Sequence, residues 1–371
     1  MKKGKAFSKK MAKILNYGAL NLAMAIGYKT RLFDVMDEMG SPQASSAIAE
    51  KAGLNERYVR EWLGIMVSGG IAELSHAPDG YDLFYLPREH GDLITRRAGN
   101  TNLGVYTQEI PLLISCSMES VLRGFHTGKG VTDDHYPKFQ DFMAQLADAK
   151  HRDVLVDKFL PSIEGGQLVK RLKSGIDVCD LGCGEGLAVM LMAEAFPRSR
   201  FLGIDISEEA IEKAKRGAAL KKLKNLSFLK RDAACLKQEP ELSGRFDYLT
   251  ALDAIHDQPR PLDALVNIHT KLKEGGLFSM VDIAASSHLS DNQDHPMGPF
   301  LYTVSLMHCM PVGLVDGGEG LGMMWGRQQA VRMLNEAGFQ DVQVLDIPED
   351  SFNLHFLCKK TSTKLGPAHG I

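Results

Sequence analysis

The chain has 371 residues, 44% hydrophobic and 24% charged, which suits two domains with a sizeable core and excludes a disordered chain. Its 43 lysines and arginines stand against 46 acids, a net charge of -3, so charge alone offers no reason to expect nucleic acid as a partner. No apolar run reaches the length of a membrane span, the basic N-terminus lacks a small-residue cleavage site, and the six cysteines form no CxxC pair; a cytoplasmic protein with no membrane association and no metal is expected.

Between about Lys10 and Met36 apolar residues recur at helical spacing. A short helix from Ser45 to Lys51 should end at Gly53, and a second, capped by Asn55, should run to about Val67 and stop at Gly69-Gly70. Two alternating stretches, Ile71 to Ser75 and Tyr81 to Leu86, flank the turn Pro78-Asp79-Gly80. Helix, turn, helix and hairpin make a winged helix over residues 1–100. A groove-reading helix normally carries a basic excess, whereas here Arg57 and Arg60 are cancelled by Glu56 and Glu61. Val59, Trp62, Leu63, Met66 and Val67 have the look of packing residues, so the domain is read as an interaction or dimerisation module.

Residues 101–160 are expected to form a helical connector broken at Gly128 to Gly130, and residues 161–361 an α/β domain. Strands are predicted at Ile176 to Leu181, Arg200 to Ile204, Leu226 to Lys230, Phe246 to Leu252 and Gly276 to Ile283, with amphipathic helices between, the pattern of a parallel sheet covered on both faces. The last two strands, Asp341 to Ile347 and Ser351 to Lys359, are joined too closely for a crossover and should pair antiparallel. A tail is expected over 362–371.

The loop "DLGCGEG" after the first of these strands is not the NAD fingerprint, because Leu187 stands where the third glycine of GxGxxG belongs and Gly186 comes one place early. The next strand ends in Asp205, about 20 residues on, where a carboxylate can accept from both hydroxyls of a ribose. Asp232 and Ala233 close the third strand, and "LTALDAIHDQ", with Leu252, closes the fourth. Four successive strand ends therefore bring polar groups to the carboxyl edge, where doubly wound sheets bind ligands.

"DLGCGEG", "GIDIS" and "RDAA" resemble motifs I, post-I and II of the class I S-adenosylmethionine-dependent methyltransferases, and the resemblance implies that cofactor. Asp180 and the loop of Gly182, Cys183, Gly184 and Gly186 would then lie along its methionyl group, Asp205 would hold the ribose, Ile206 the adenine face and Asp232 the adenine amino group. Ala233 and Leu252 join this set at the same edge. The family's fold is a seven-stranded Rossmann-like sheet with the last strand reversed. The segments from "LTALDAIHDQPRPLDAL" to "GGEGLGMMWG" resemble a bacterial and animal branch with an N-terminal winged helix, and the architecture is similar to the plant O-methyltransferases, whose winged helix builds a dimer. That similarity implies His256 as general base, the alternative being that it only shapes the cofactor pocket, and "PKFQDFMAQ" implies Phe142 and Met143 near the cofactor. Gln258 replaces the tryptophan of the plant pattern, and no supporting acid can be placed. Asp257, adjacent to His256, is poorly set to orient it.

The long loop from His288 to Gly322 suits a lid or acceptor pocket, with a helix over Pro299 to Met310 and a flexible turn over Gly317 to Gly322. Met307, His308 and Cys309 are consecutive and cannot easily all face one ion. The expected activity is methyl transfer to a small-molecule acceptor, at oxygen first, with nitrogen and sulfur left open, by a homodimer. The alternative is a winged-helix regulator that senses S-adenosylmethionine and binds nucleic acid.

Overall fold

The computed structural model describes residues 2–361 except 137–138, 140–141, 144–145, 147–150, 153 and 349, so the tail expected over 362–371 lies outside the described residues. The chain divides into two units, Met1–Ser115 and Cys116–Ile371. Among the described residues no helix is long and apolar enough to cross a membrane.

In the first unit the periodicity read from Lys10 to Met36 belongs to two helices, α1 (Lys2–Lys29) and α2 (Leu32–Met39). They part at Arg31, whose φ of 62° is left-handed and cannot continue a helix. The winged helix follows as expected: α3 (Ser45–Ala52) ends at left-handed Gly53, and α4 (Glu56–Ser68) starts where the Asn55 side chain accepts the Arg57 amide. The strands β1 (Glu73–His76) and β2 (Asp82–Tyr85) pair antiparallel. Trp62 anchors this unit. Its ring meets Phe33 edge-on at 5.1 Å, its indole N–H donates to the Ala23 carbonyl at 2.8 Å, and only Gly27 leaves room for it on α1. Burial of such a side chain stabilises by roughly 2–3 kcal/mol. Val59, Leu63 and Met66 are buried on the same helix, while Arg57 and Arg60 lie beside Glu61 and Glu56. A last helix, α5 (Arg88–Ile94), precedes α6 (Glu109–Thr127), which runs on into the second unit and ends at Gly128, φ 68°.

The second unit is a seven-stranded sheet of β3 (Asp177–Leu181), β4 (Arg200–Asp205), β5 (Leu226–Lys230), β6 (Phe246–Leu252), β7 (Leu272–Ile283), β8 (Gln343–Ile347) and β9 (Asp350–Lys359), in the order β5-β4-β3-β6-β7-β9-β8. The first five are parallel, and β9 is antiparallel to both neighbours, as expected of the last strand. β7 begins four residues earlier than its apolar run, because Lys273, Glu274 and left-handed Gly275 continue the strand without looking like one. Side chains alternate between two cores: Cys179, Leu249 and Met280 face one layer of helices, and Val178, Tyr248 and Leu277 the other. Strand order reverses between β3 and β6, which opens a crevice at their carboxyl ends.

Candidate active site

Beyond β3 the chain turns through Gly182, Gly184 and Gly186, all left-handed at φ 70°, 53° and 79°. The three glycines answer to different needs. A Cβ on Gly182 would stand 2.5 Å from that of Ala254, and one on Gly186 would stand 2.7 Å from the Phe228 ring, so the flank of Gly186 is filled by packing. Gly184 has nothing within 4 Å of that position, and its amide donates to Asp205 Oδ2 at 2.8 Å. Cys183 turns its sulfur toward Gly203 on β4 rather than outward.

Asp205 Oδ1 accepts the Ser207 amide at 2.8 Å, so each carboxylate oxygen is fixed by one backbone donor and keeps accepting capacity. Burial raises its pKa, against the backbone donors of Ser207, Gly184 and Ile206. Asp180 lies deeper, at 2% exposure, and accepts the Thr250 hydroxyl at 2.6 Å; burial pushes it up to about 7.

A cleft of 840 Å³ opens over these strand ends. Gly182, Asp205, Ile206 and Asp232 line it, as do Asp253 and Ala254 after β6. Ile206 is 55% exposed there, a free apolar face for a flat ring. Asp232 caps Ala234 through Oδ1 and pairs through Oδ2 with the Arg260 guanidinium at 2.6 Å. Other predicted residues are not on the cleft surface. Asp180, Cys183, Gly184 and Gly186 support the loop, Ala233 is buried, and Leu252 packs partly against the core. Phe142 is buried with its ring 5.8 Å from Phe139, and Met143 is exposed; neither lines the cleft. The lining carries Asp133, Asp205, Asp232, Asp253, Asp257, Asp263, Asp316 and Glu319 against Arg260, so it favours cationic groups.

His256 follows β6 and is 3% exposed. Its Nδ1 is 2.8 Å from Asp282 Oδ1 near the end of β7, and its Nε2 is 3.4 Å from Asp257 Oδ1. Burial opposes its charged form, but Asp282 and Asp257 outweigh burial and hold its pKa well above the ordinary imidazole range. Asp282 is the buried carboxylate that meets the His256 ring, and no motif in the sequence marked it. Its signal was a lone carboxylate in an apolar strand. Asp257, not the imidazole, reaches the cleft.

The helix expected over Pro299 to Met310 is present from Gly298 to Gly313 but is interrupted by one wide turn, Ser305–Cys309. Within that turn the Met307 carbonyl accepts two hydroxyls, Ser117 and Tyr136, each at 2.8 Å. The turn faces His308 toward Phe139 at 4.3 Å and brings Cys309, whose thiol burial pushes up to about 12, near Asp257 and His256. Gly317 to Glu319 continue from it to line the cleft, as expected of the insertion. The turn expected there is held by backbone bonds, Glu319 N–H to Pro259 at 3.0 Å and Gly320 N–H to Gly313 at 2.9 Å.

Residues 172–338 match the family model described as a methyltransferase domain, and residues 18–96 match an Rv2258c-like winged helix-turn-helix domain. The chain thus combines a methyltransferase domain with an N-terminal winged helix-turn-helix domain. It is 36% identical over 160 residues to the trans-aconitate 2-methyltransferase of Deinococcus radiodurans, covering 42% of this chain and 51% of that one. It is 26% identical over 184 residues to cycloartenol-C-24-methyltransferase 1 of Oryza sativa subsp. japonica, covering 48% of each. The chain thus spans about half the length of these curated relatives. Two solved structures share the fold along nearly the whole chain. Human N-acetylserotonin methyltransferase in complex with S-adenosylmethionine superposes with TM-score 0.67 at 15% identity, over 96% of this chain and 98% of that one. An O-methyltransferase family protein from Burkholderia thailandensis gives 0.65 at 12%, over 97% and 98%.

Proposed function

We propose that this chain transfers the methyl group of S-adenosylmethionine to a small-molecule acceptor, at oxygen in the first instance. The observation that carries the reading is the pairing of Asp205 with the Gly184 amide beside an open glycine flank, on a cleft at the strand-order reversal. These residues fit the cofactor: Asp205 offers acceptors to a ribose, Ile206 an apolar face and Asp232 an acceptor to an adenine amino group, with Gly182 and the open flank of Gly184 toward the methionyl part and Asp180 beneath them, bonded to Thr250. The acidic lining suits its net positive charge. The bound cofactor supplies an activated methyl carbon on a sulfonium. The protein's share is to align the acceptor and exclude water, for which Val312, Val315 and the 317–319 turn form the wall.

His256 is the base in this reading, acting in its neutral form, which Asp282 and Asp257 confine to alkaline pH. Its contact with the cleft runs through Asp257, so an acceptor proton would pass by that carboxylate toward the imidazole. Nitrogen and sulfur acceptors need less of such a base.

The apolar stripe of α1, where Phe7 (61% exposed), Ile14 (49%), Leu15 (68%), Leu22 (52%) and Ile26 (49%) face outward, supports a homodimer in which a second copy covers it. The balanced charges of α4 support this use of the winged helix over nucleic acid. The free cysteines fit a cytoplasmic location.

The test is calorimetric titration with S-adenosylmethionine beside Asp205→Ala, followed by mass spectrometry of a metabolite extract incubated with labelled cofactor. Micromolar binding lost in the variant, with a labelled product, is expected. No binding by the unaltered protein overturns the reading.

A further inference from the structure

The neighbourhood of His256 has the features of a metal centre. A ring nitrogen of His256, a carboxylate oxygen of Asp257 and Cys309 Sγ all lie within 4.8 Å of one another. A four-coordinate ion with bonds of about 2.0–2.3 Å sets its ligand atoms about 3.3–3.8 Å apart, and Nε2 and Oδ1 are separated by 3.4 Å.

Three further observations point the same way. Asp257 Oδ1 is buried and accepts no hydrogen bond of normal geometry from the described residues; the His256 ring at 3.4 Å offsets its charge, a separation that an ion between the two would bridge. His256 is held from behind, Nδ1 to Asp282 Oδ1 at 2.8 Å, with both groups buried. A histidine that binds a metal through one ring nitrogen commonly gives the other N–H to a carboxylate, which fixes the tautomer and aims the free lone pair. Cys309 ends the wide turn Ser305–Cys309, a backbone irregularity that recurs at functional sites. The Ser117 and Tyr136 hydroxyls, bonded to its Met307 carbonyl, hold that turn in place.

We propose that His256, Asp257 and Cys309 bind a divalent transition-metal ion of the zinc class, with Asp282 as the supporting carboxylate and the remaining position directed to the cleft along Asp257. A nitrogen, oxygen and sulfur donor set excludes magnesium and calcium, which take oxygen alone. Three protein ligands are the number of a catalytic zinc site, which keeps a place for water or substrate. With the ion bound, His256 is a ligand, and activation of the acceptor passes from an imidazole to a Lewis acid. The site stands on these side chains whichever acceptor the cleft takes.

The experiment is titration of the chelator-treated full chain with Co(II), followed by absorbance, with zinc competition. One ion per chain is expected, with a thiolate-to-cobalt charge-transfer band and the visible bands of a four-coordinate site, all displaced by zinc. Cys309→Ala should abolish the charge-transfer band, while Cys183→Ala and Cys235→Ala keep it. Asp282→Asn should weaken affinity about 10- to 100-fold. If thermal melting shows Cys309→Ala unfolded, Asp257→Asn, at the partly exposed position, serves in its place, and loss of the four-coordinate spectrum is expected. No stoichiometric binding, or a spectrum indifferent to these changes, overturns the site. S-adenosylmethionine titration of the metal-free chain tests the methyl-transfer reading separately.

Discussion

His256 and Asp282 join the carboxyl ends of neighbouring strands: a residue in the loop after β6 and the penultimate residue of β7 meet at 2.8 Å, 3% and 1% exposed. Buried charges paired this closely are destabilising to separate. Asp282→Ala, which strands the imidazole, should lower stability by about 3–5 kcal/mol, whereas Asp257→Ala should cost about 1 kcal/mol, because its side chain is 27% exposed and solvent screens the pair. Urea denaturation of the metal-free protein measures both. Equal losses would show that Asp282 is not the anchoring carboxylate.

The glycine loop separates binding from packing. Gly186→Ala drives a Cβ to 2.7 Å from Phe228 at φ 79° and should cost about 2–4 kcal/mol in stability. Gly184→Ala meets open space, so only the backbone penalty of about 1 kcal/mol at φ 53° remains. The order should invert for S-adenosylmethionine affinity, with the larger loss at Gly184. Thermal melts with and without the cofactor read both quantities from one set of samples.

At the wide turn, the two hydroxyls on the Met307 carbonyl back each other up. Ser117→Ala and Tyr136→Phe should each cost about 1 kcal/mol, and the double variant more than their sum, because only then is the buried oxygen left without either donor. A double-variant cycle by chemical denaturation that proves additive would show that the carbonyl finds another partner.

Glu109, at the start of α6, is 4% exposed, and burial pushes its carboxyl up to about 8 from an ordinary 4.5. The folded protein therefore holds the proton more tightly than the unfolded chain. Its contribution is fully present below pH 4.5 and is lost as pH rises toward 8, by at most about 5 kcal/mol. Glu109→Gln should match the unaltered protein at acid pH and become the more stable of the two as pH rises through that window. Melting curves across the range test the sign directly.

Sequence patterns carried the sheet well, because strands buried on both faces read as unbroken apolar runs, and the reversed last strand followed from a connection too short to cross over. The break at Arg31 was illegible, since neither glycine nor proline marks it. In the candidate site, the place of Asp205 on the cleft was legible because it depends on local chain geometry at the end of β4. The purpose of Gly186 was not, because Phe228 on another strand sets it. Likewise Cys309 was judged against its sequence neighbours, whereas its partners in space, His256 and Asp257, lie some fifty residues earlier. Long-range pairing decides such roles, and spacing along one segment cannot report it.

The wide turn at Ser305–Cys309 is equivalent to one residue inserted into an otherwise regular helix. Removal of a single residue there would restore the ordinary winding and leave the flanking turns in phase, but the residues of the wide turn itself, Met307 and Cys309 among them, would point in new directions. The length of this segment is thus under a constraint separate from its composition: point substitutions in it are open to compensation, but a one-codon deletion would move the Met307 carbonyl and the cysteine together.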